Sequence, residues 1–127
     1  EEIVALDEEH TVTRATVRPG WPMSDGRSVS AVILIELVAQ TAGIHNGWVR
    51  VRRYGPEVDR KGWIVGISEA ELHADCVACG TALTIRAENR FAYDGFREIV
   101  GTVEADGNLL AEAVLLLLRS GEESIVP

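Results

Sequence analysis

Ala31-Val32-Ile33-Leu34-Ile35-Glu36-Leu37-Val38-Ala39-Gln40-Thr41-Ala42-Gly43 decides the fold, because it sets one carboxylate inside an apolar run and a glutamine one helical turn later. Ser28 or Ser30 can cap a helix running from about Ser30 to Arg53, and Gly55-Pro56 supplies its stop signal. A helix apolar on all sides is expected to be buried all round. An ionised carboxylate removed from water is costly unless it is paired or its pKa rises. Glu36 is therefore expected to be either a satisfied structural acid or a tuned catalytic group.

Working outward, Thr11 to Val17 alternates as a half-buried strand does, and Arg18-Pro19-Gly20-Trp21-Pro22 breaks the pattern with two prolines and a glycine. Beyond the helix the texture changes to strands: Trp63 to His73, Thr81 to Tyr93, Phe96 to Glu104 and Leu109 to Arg119, with Asp94-Gly95 and Asp106-Gly107 suited to tight hairpins. Leu109 to Leu118 is apolar at nearly every position, as a central strand covered on both faces would be. One long helix followed by antiparallel strands predicts an α+β domain over residues 1–127, a curved sheet wrapped around the helix. A helix apolar all round also needs cover beyond its own sheet, and a second protomer is the economical source, giving a homodimer or a higher even oligomer.

Composition narrows the function classes. The 127 residues are 46% hydrophobic, enough for a core, and 20 acidic against 12 basic residues give a formal charge of -8. That balance lacks the basic footprint of a nucleic-acid binder. No apolar run reaches the length of a membrane span, since Glu36 and Gln40 interrupt the best candidate. With no signal or lipidation motif the default expectation is cytoplasmic, and a start at Glu1 rather than Met fits a trimmed N-terminus. Cys76-Val77-Ala78-Cys79 has no second pair for a structural zinc site and is followed by Gly80 and a strand, so two ordinary thiols at a strand turn are expected, with no metal and no cofactor.

The residues resemble the hotdog-fold 3-hydroxyacyl-acyl-carrier-protein dehydratases and their FabZ-like relatives. The likeness rests on Ile35-Glu36-Leu37-Val38-Ala39-Gln40-Thr41-Ala42-Gly43, similar to that family's central-helix signature, with Gly62 to Cys79, Gly101-Thr102-Val103 and Leu110-Ala111-Glu112-Ala113 resembling its later strands. In the family a His-Phe-Pro-Gly loop places its His 14 residues before the helix Glu. Here that position is Pro22, in Gly20-Trp21-Pro22-Met23, and the nearest polar residues are Arg18, Ser24, Asp25 and Arg27. The chain thus looks like a divergent branch in which Asp25-Gly26 precedes the helix.

What the resemblance implies is an enzyme of fatty-acid or polyketide type metabolism acting on 3-hydroxyacyl thioesters of acyl carrier protein or CoA. Glu36 would fill one or both proton roles, and Gln40, on the same helical face, would orient it or bind substrate. The helix N-terminus at Ser30 and Ala31 would offer N–H groups to the thioester oxygen, and Trp21 and Pro22 would line the acyl pocket. Arg50, Arg52, Arg53, Arg60 and Lys61 crowd the helix end, where Arg52 and Arg53 suit an acidic carrier or its phosphates. His45, nearly opposite Glu36, is expected to be a packing or surface residue, and His10 and His73 to have bland roles. Two alternatives stand beside the dehydratase: a hotdog thioesterase using Glu36, which needs no loop His, and a non-catalytic acyl-binding or partner subunit.

Overall fold

The structure, a computed structural model, describes residues 2–57, 62–93 and 96–119. In chain order these form β1 (Glu2–Leu6), β2 (His10–Thr16), β3 (Ser28–Ser30), α1 (Ile33–Tyr54), β4 (Gly62–Leu72), β5 (Cys76–Ala78), β6 (Ala82–Tyr93), β7 (Phe96–Ala105) and β8 (Asn108–Arg119). From Thr13 on, burial in β2 alternates, with Thr13 and Ala15 buried and Arg14 and Thr16 exposed, the period-two signature of a strand covered on one face, while Thr11 and Val12 before it are both buried. Six strands pair antiparallel in the order β1-β2-β6-β7-β8-β4, and β3 and β5 make a separate two-stranded ribbon. The helix crosses the inner face of the large sheet, so the α+β arrangement expected from the sequence is the one adopted. Among the described residues no helix is long and apolar enough to cross a membrane.

Small residues set how closely the helix approaches. Register places Ala87 opposite Gly101 and Gly101 opposite Ala113, a shallow row across three adjacent strands. A Cβ built on Gly101 would overlap Val38 Cγ1, so glycine is required where the helix presses nearest the sheet. Val38, Leu34 and Ala42 are fully buried there, against Ile85, Ile99, Val103 and Leu115 from the strands.

Several expectations need correction. The helix starts at Ile33, not Ser30, because residues 28–30 are recruited into β3, where Ser28, Val29 and Ser30 face Ala78, Val77 and Cys76. Cys76 begins the short strand β5 and Cys79 stands in the turn that follows it, so the two cysteines do sit at a strand turn, with Cys76 exposed, Cys79 half-buried and both thiols free. β8 is covered fully on one face and in part on the other: Ala111, Ala113, Leu115 and Leu117 are buried, whereas on the opposite face Val114 is buried, Leu110, Leu116 and Leu118 are half-buried, and Leu109 at the strand start is exposed. The helix is uncovered along one side, where Glu36, Gln40 and Gly43 are exposed, the side for which cover from beyond its own sheet was expected. Asp106-Gly107 is the expected tight hairpin, with φ of 51° and 78°, while Asp94-Gly95 lies outside the described residues.

Candidate active site

The segment between β2 and α1 is tied down bond by bond. Val17 donates its N–H to Thr81 and accepts from Gly80, and Trp21 closes a turn onto the Arg18 carbonyl at 3.1 Å. Asp25 Oδ1 accepts from the N–H groups of Arg27 (2.8 Å) and Ser28 (2.9 Å), which hold its carboxyl below the usual range. With its oxygen engaged in this turn, Asp25 acts as structure. Met23 takes a left-handed φ of 64° and its carbonyl accepts from Ser30, while Cys79 donates to Arg27. These bonds fix Trp21 and Pro22 beside the first turns of the helix.

Between loop and helix lies a cavity of about 290 Å³. Trp21, Pro22, Ile33, Leu37 and Ala15 give it apolar walls, and Thr16, Arg18, Glu36 and Gln40 supply the polar groups. A second hollow on the far side of Pro22 shares Pro22, Ile33 and Glu36 and adds Met23, Val32 and Ile35, so the carboxylate stands between two depressions. Four of the residues singled out from the sequence, Glu36, Gln40, Trp21 and Pro22, thus meet at one place. Glu36 and Gln40 are exposed there, so the water-free setting expected for the acid is not supplied by this chain alone.

The other expected residues fall elsewhere. Ser30 and Ala31 do not line the cavity, and their N–H groups already donate to Met23 and Asp75 carbonyls at 3.1 and 3.0 Å. Pairing of the preceding loop with β5 uses them up. Ile33, which does line the cavity, has an amide with no hydrogen-bond partner among the described residues. Arg52 and Arg53 lie at the other end of the helix, about 24 Å along the axis from Glu36. Arg52 is 3.8 Å from Glu8 and packs 4.8 Å over Trp48, and Arg53 is exposed. Arg50 departs from the expected surface cluster: it is fully buried, its guanidinium 5.6 Å from the centre of the Tyr54 ring. Arg60 and Lys61 lie outside the described residues.

His45 packs inside, as one of its two expected placements had it. Its Nδ1 is 2.9 Å from Thr11 Oγ1, and burial, reinforced by the Arg97 charge, pushes its pKa down to about 4. It is a neutral core residue near pH 7. Sequence reasoning passed over Arg18 and Thr16 as site residues. The signal was there: the β2 alternation, carried past the strand end, puts Arg14, Thr16 and Arg18 on the same side.

One group among the described residues has the makings of a cation site: Glu71, His73 and Glu112, with ligand atoms within 4.8 Å of one another and His73 Nε2 3.1 Å from Glu112 Oε2. It is largely exposed on β4, β8 and the turn after β4, three strand positions from β2, so it has no part in the Glu36 cavity.

Comparison with known proteins adds three findings. A model of the ApeP-like family, described as ApeP dehydratase, matches residues 1–124. Among curated proteins none matches. Among solved structures, the dehydratase heterocomplex ApeI:P from Xenorhabdus doucetiae superposes with a TM-score of 0.81 at 21% identity, over 98% of this chain and 84% of that one. A hypothetical thioesterase with coenzyme A from Streptococcus pneumoniae gives 0.74 at 15% identity, over 95% and 89%. The smu.793 protein from Streptococcus mutans, bound to acetyl CoA, gives 0.73 at 12% identity, over 95% and 89%. The fold these share is the hotdog, a helix wrapped by an antiparallel sheet.

Proposed function

The chain belongs to the ApeP-like dehydratase family, and on that premise we propose that it removes water from 3-hydroxyacyl thioesters, with Glu36 carrying the proton. The observation behind this reading is the cavity itself, where an acid and an amide one turn apart face an apolar wall of Trp21 and Pro22. The wall suits an acyl chain. Glu36 takes the proton from the carbon next to the thioester carbonyl, the C–H electron pair becomes the new double bond, and the hydroxyl departs as water with a proton from the carboxyl. Gln40 orients the acid or the leaving hydroxyl, and the Ile33 amide suits the enolate-like oxygen.

The exposure of Glu36 calls for a cover, and a second hotdog subunit supplies it in this reading. The uncovered helix face runs on from Gln40 through Gly43, Ile44, Gly47, Trp48 and Val51, which line an open groove of about 400 Å³. An antiparallel partner helix centred on that groove brings one subunit's Arg52 and Arg53 toward the other's Glu36, where an acidic carrier docks. The homologous complex is a heterocomplex by description, so the partner is a second copy or a related chain.

A thioesterase is the second reading, favoured by one observation: position 22, where the resembled dehydratases carry a His, is proline. Incubation with 3-hydroxybutyryl and crotonyl thioesters separates the readings. Interconversion of the two without thiol release is the expected result. Release of free thiol sinks the dehydratase in favour of the thioesterase, and inertness toward both, with and without a partner chain, leaves an acyl-binding subunit.

A further inference from the structure

Arg18 belongs to two cavities at once. Besides the Glu36 cavity it lines a second one of about 230 Å³, together with Arg14 and Glu2, and the two share Ala15, Thr16 and Arg18. A ligand can therefore extend from the carboxylate past Arg18 and along the outer side of β2 without leaving a lined surface. Arg14 and Arg18 are separated by four extended residues, about 13 Å. Among the described residues the β1–β2 ladder ends with Glu2 opposite Arg14, and both line the outer cavity, which opens to solvent.

Charge distinguishes the opening. Arg14 and Arg18 are both exposed, and neither has an ion-pair partner among the described residues; Glu2, the one carboxylate in that cavity, pairs with neither. On a chain of formal charge -8, most of whose surface repels anions, two unpaired guanidiniums beside one passage form a local exception. The planar guanidinium fork matches phosphate oxygens in pairs, where an ammonium would act only as a point charge.

We infer that Arg18 and Arg14 seat the phosphate ester of a pantetheine arm, whose far end carries the acyl group into the Glu36 cavity. The assignment rests on the reading of the substrate as a pantetheine-borne thioester, and it names the residues that recognise the arm rather than the acyl chain. Both sources of that arm, a carrier protein and CoA, present the same phosphate on the pantetheine.

The test measures binding with ligands that cannot turn over. S-butyl pantetheine, its 4′-phosphate and S-butyl CoA are titrated calorimetrically into the full chain, into Arg14→Gln/Arg18→Gln and into a control, Arg27→Gln/Arg86→Gln, which removes the same charge elsewhere on the surface. The phosphate should tighten binding about tenfold in the parent and control proteins, less in high salt, and give no advantage in Arg14→Gln/Arg18→Gln. Equal affinity of the parent for phosphorylated and plain pantetheine overturns the assignment, as does a phosphate advantage that survives in Arg14→Gln/Arg18→Gln. A gain seen with S-butyl CoA alone assigns the recognition to the nucleotide and overturns it too. The single variants, each at an exposed position, serve should the double variant lose its circular dichroism signature. Turnover is not the readout, so a phosphate advantage in a protein without dehydratase activity sinks the reaction and spares the seat. Dehydratase activity with no phosphate advantage does the reverse.

Discussion

Glu36 and His45 stand nine residues apart on one helix, two and a half turns, and so point to opposite sides. The histidine side faces β2 and makes two side-chain contacts with it: Thr41 Oγ1 lies 2.9 Å from Thr13 Oγ1, and His45 Nδ1 the same distance from Thr11 Oγ1, while His45 Nε2 and Asn46 Oδ1 are buried without a partner among the described residues. The glutamate side faces a cavity and the open groove, and neither Glu36 nor Gln40 has a side-chain hydrogen bond among the described residues. Polar groups turned toward the sheet are buried inside the fold, where no ligand reaches them. Those turned away keep their bonding capacity for a ligand or a second subunit.

The contrast is tested hardest by removing the acid. Glu36→Gln should lower turnover by about a hundredfold or more, the usual worth of a positioned proton carrier, and leave the melting temperature unchanged because the side chain is exposed. Unaltered activity would strip the open side of its catalytic role. Next in size is Gly101→Ala, which drives a methyl group into Val38 and should cost about 2–3 kcal/mol in a denaturant titration. Val38→Ala on that background should recover part of the loss, and no recovery would mean that the helix is not seated on this glycine.

The smallest effect sharpens the other side. His45 has a pKa near 4 in the fold against 6.5 unfolded, so the unfolded chain binds the proton first. The contribution of neutral His45 is whole above about pH 6.5 and is lost as the pH falls toward 4. Its full size is roughly 2 kcal/mol once water access is allowed for. Asp7 and Asp25, held below the usual carboxyl range by backbone N–H groups, add losses only below their ordinary value of 3.8. His45→Gln should flatten stability between pH 6.5 and 4, and an unflattened curve would place the titration elsewhere.

How far these features could be read in advance depends on the range of the interaction behind them. The helix, four of the later strands and the Asp106-Gly107 hairpin follow from periodicity and local backbone preference, and they appear within a few residues of expectation. The start of the helix was displaced because Ser30 pairs with Cys76, a contact between segments 46 residues apart that no local signal announces. β1 is five residues without a turn signal ahead of it, and β3 and β5 are three each, too short for a pattern. In the site, the Glu36, Gln40, Trp21 and Pro22 grouping was legible because loop and helix are adjacent in sequence. One misplacement came from reading the basic cluster at the helix end as a single surface: Arg50 is buried while Arg52 and Arg53 are exposed. Hydropathy averaged around a helix cannot say which side meets the sheet.

Gly101 is remote from every group proposed to touch substrate, yet it governs them. By letting Val38 sink between the strands, the missing side chain indexes the helix in both height and rotation, as a keyway does a shaft. Two residues before Val38, the carboxylate inherits that setting relative to the Trp21–Pro22 wall, so the aim of a reactive group on one surface is calibrated by an atom left out of another.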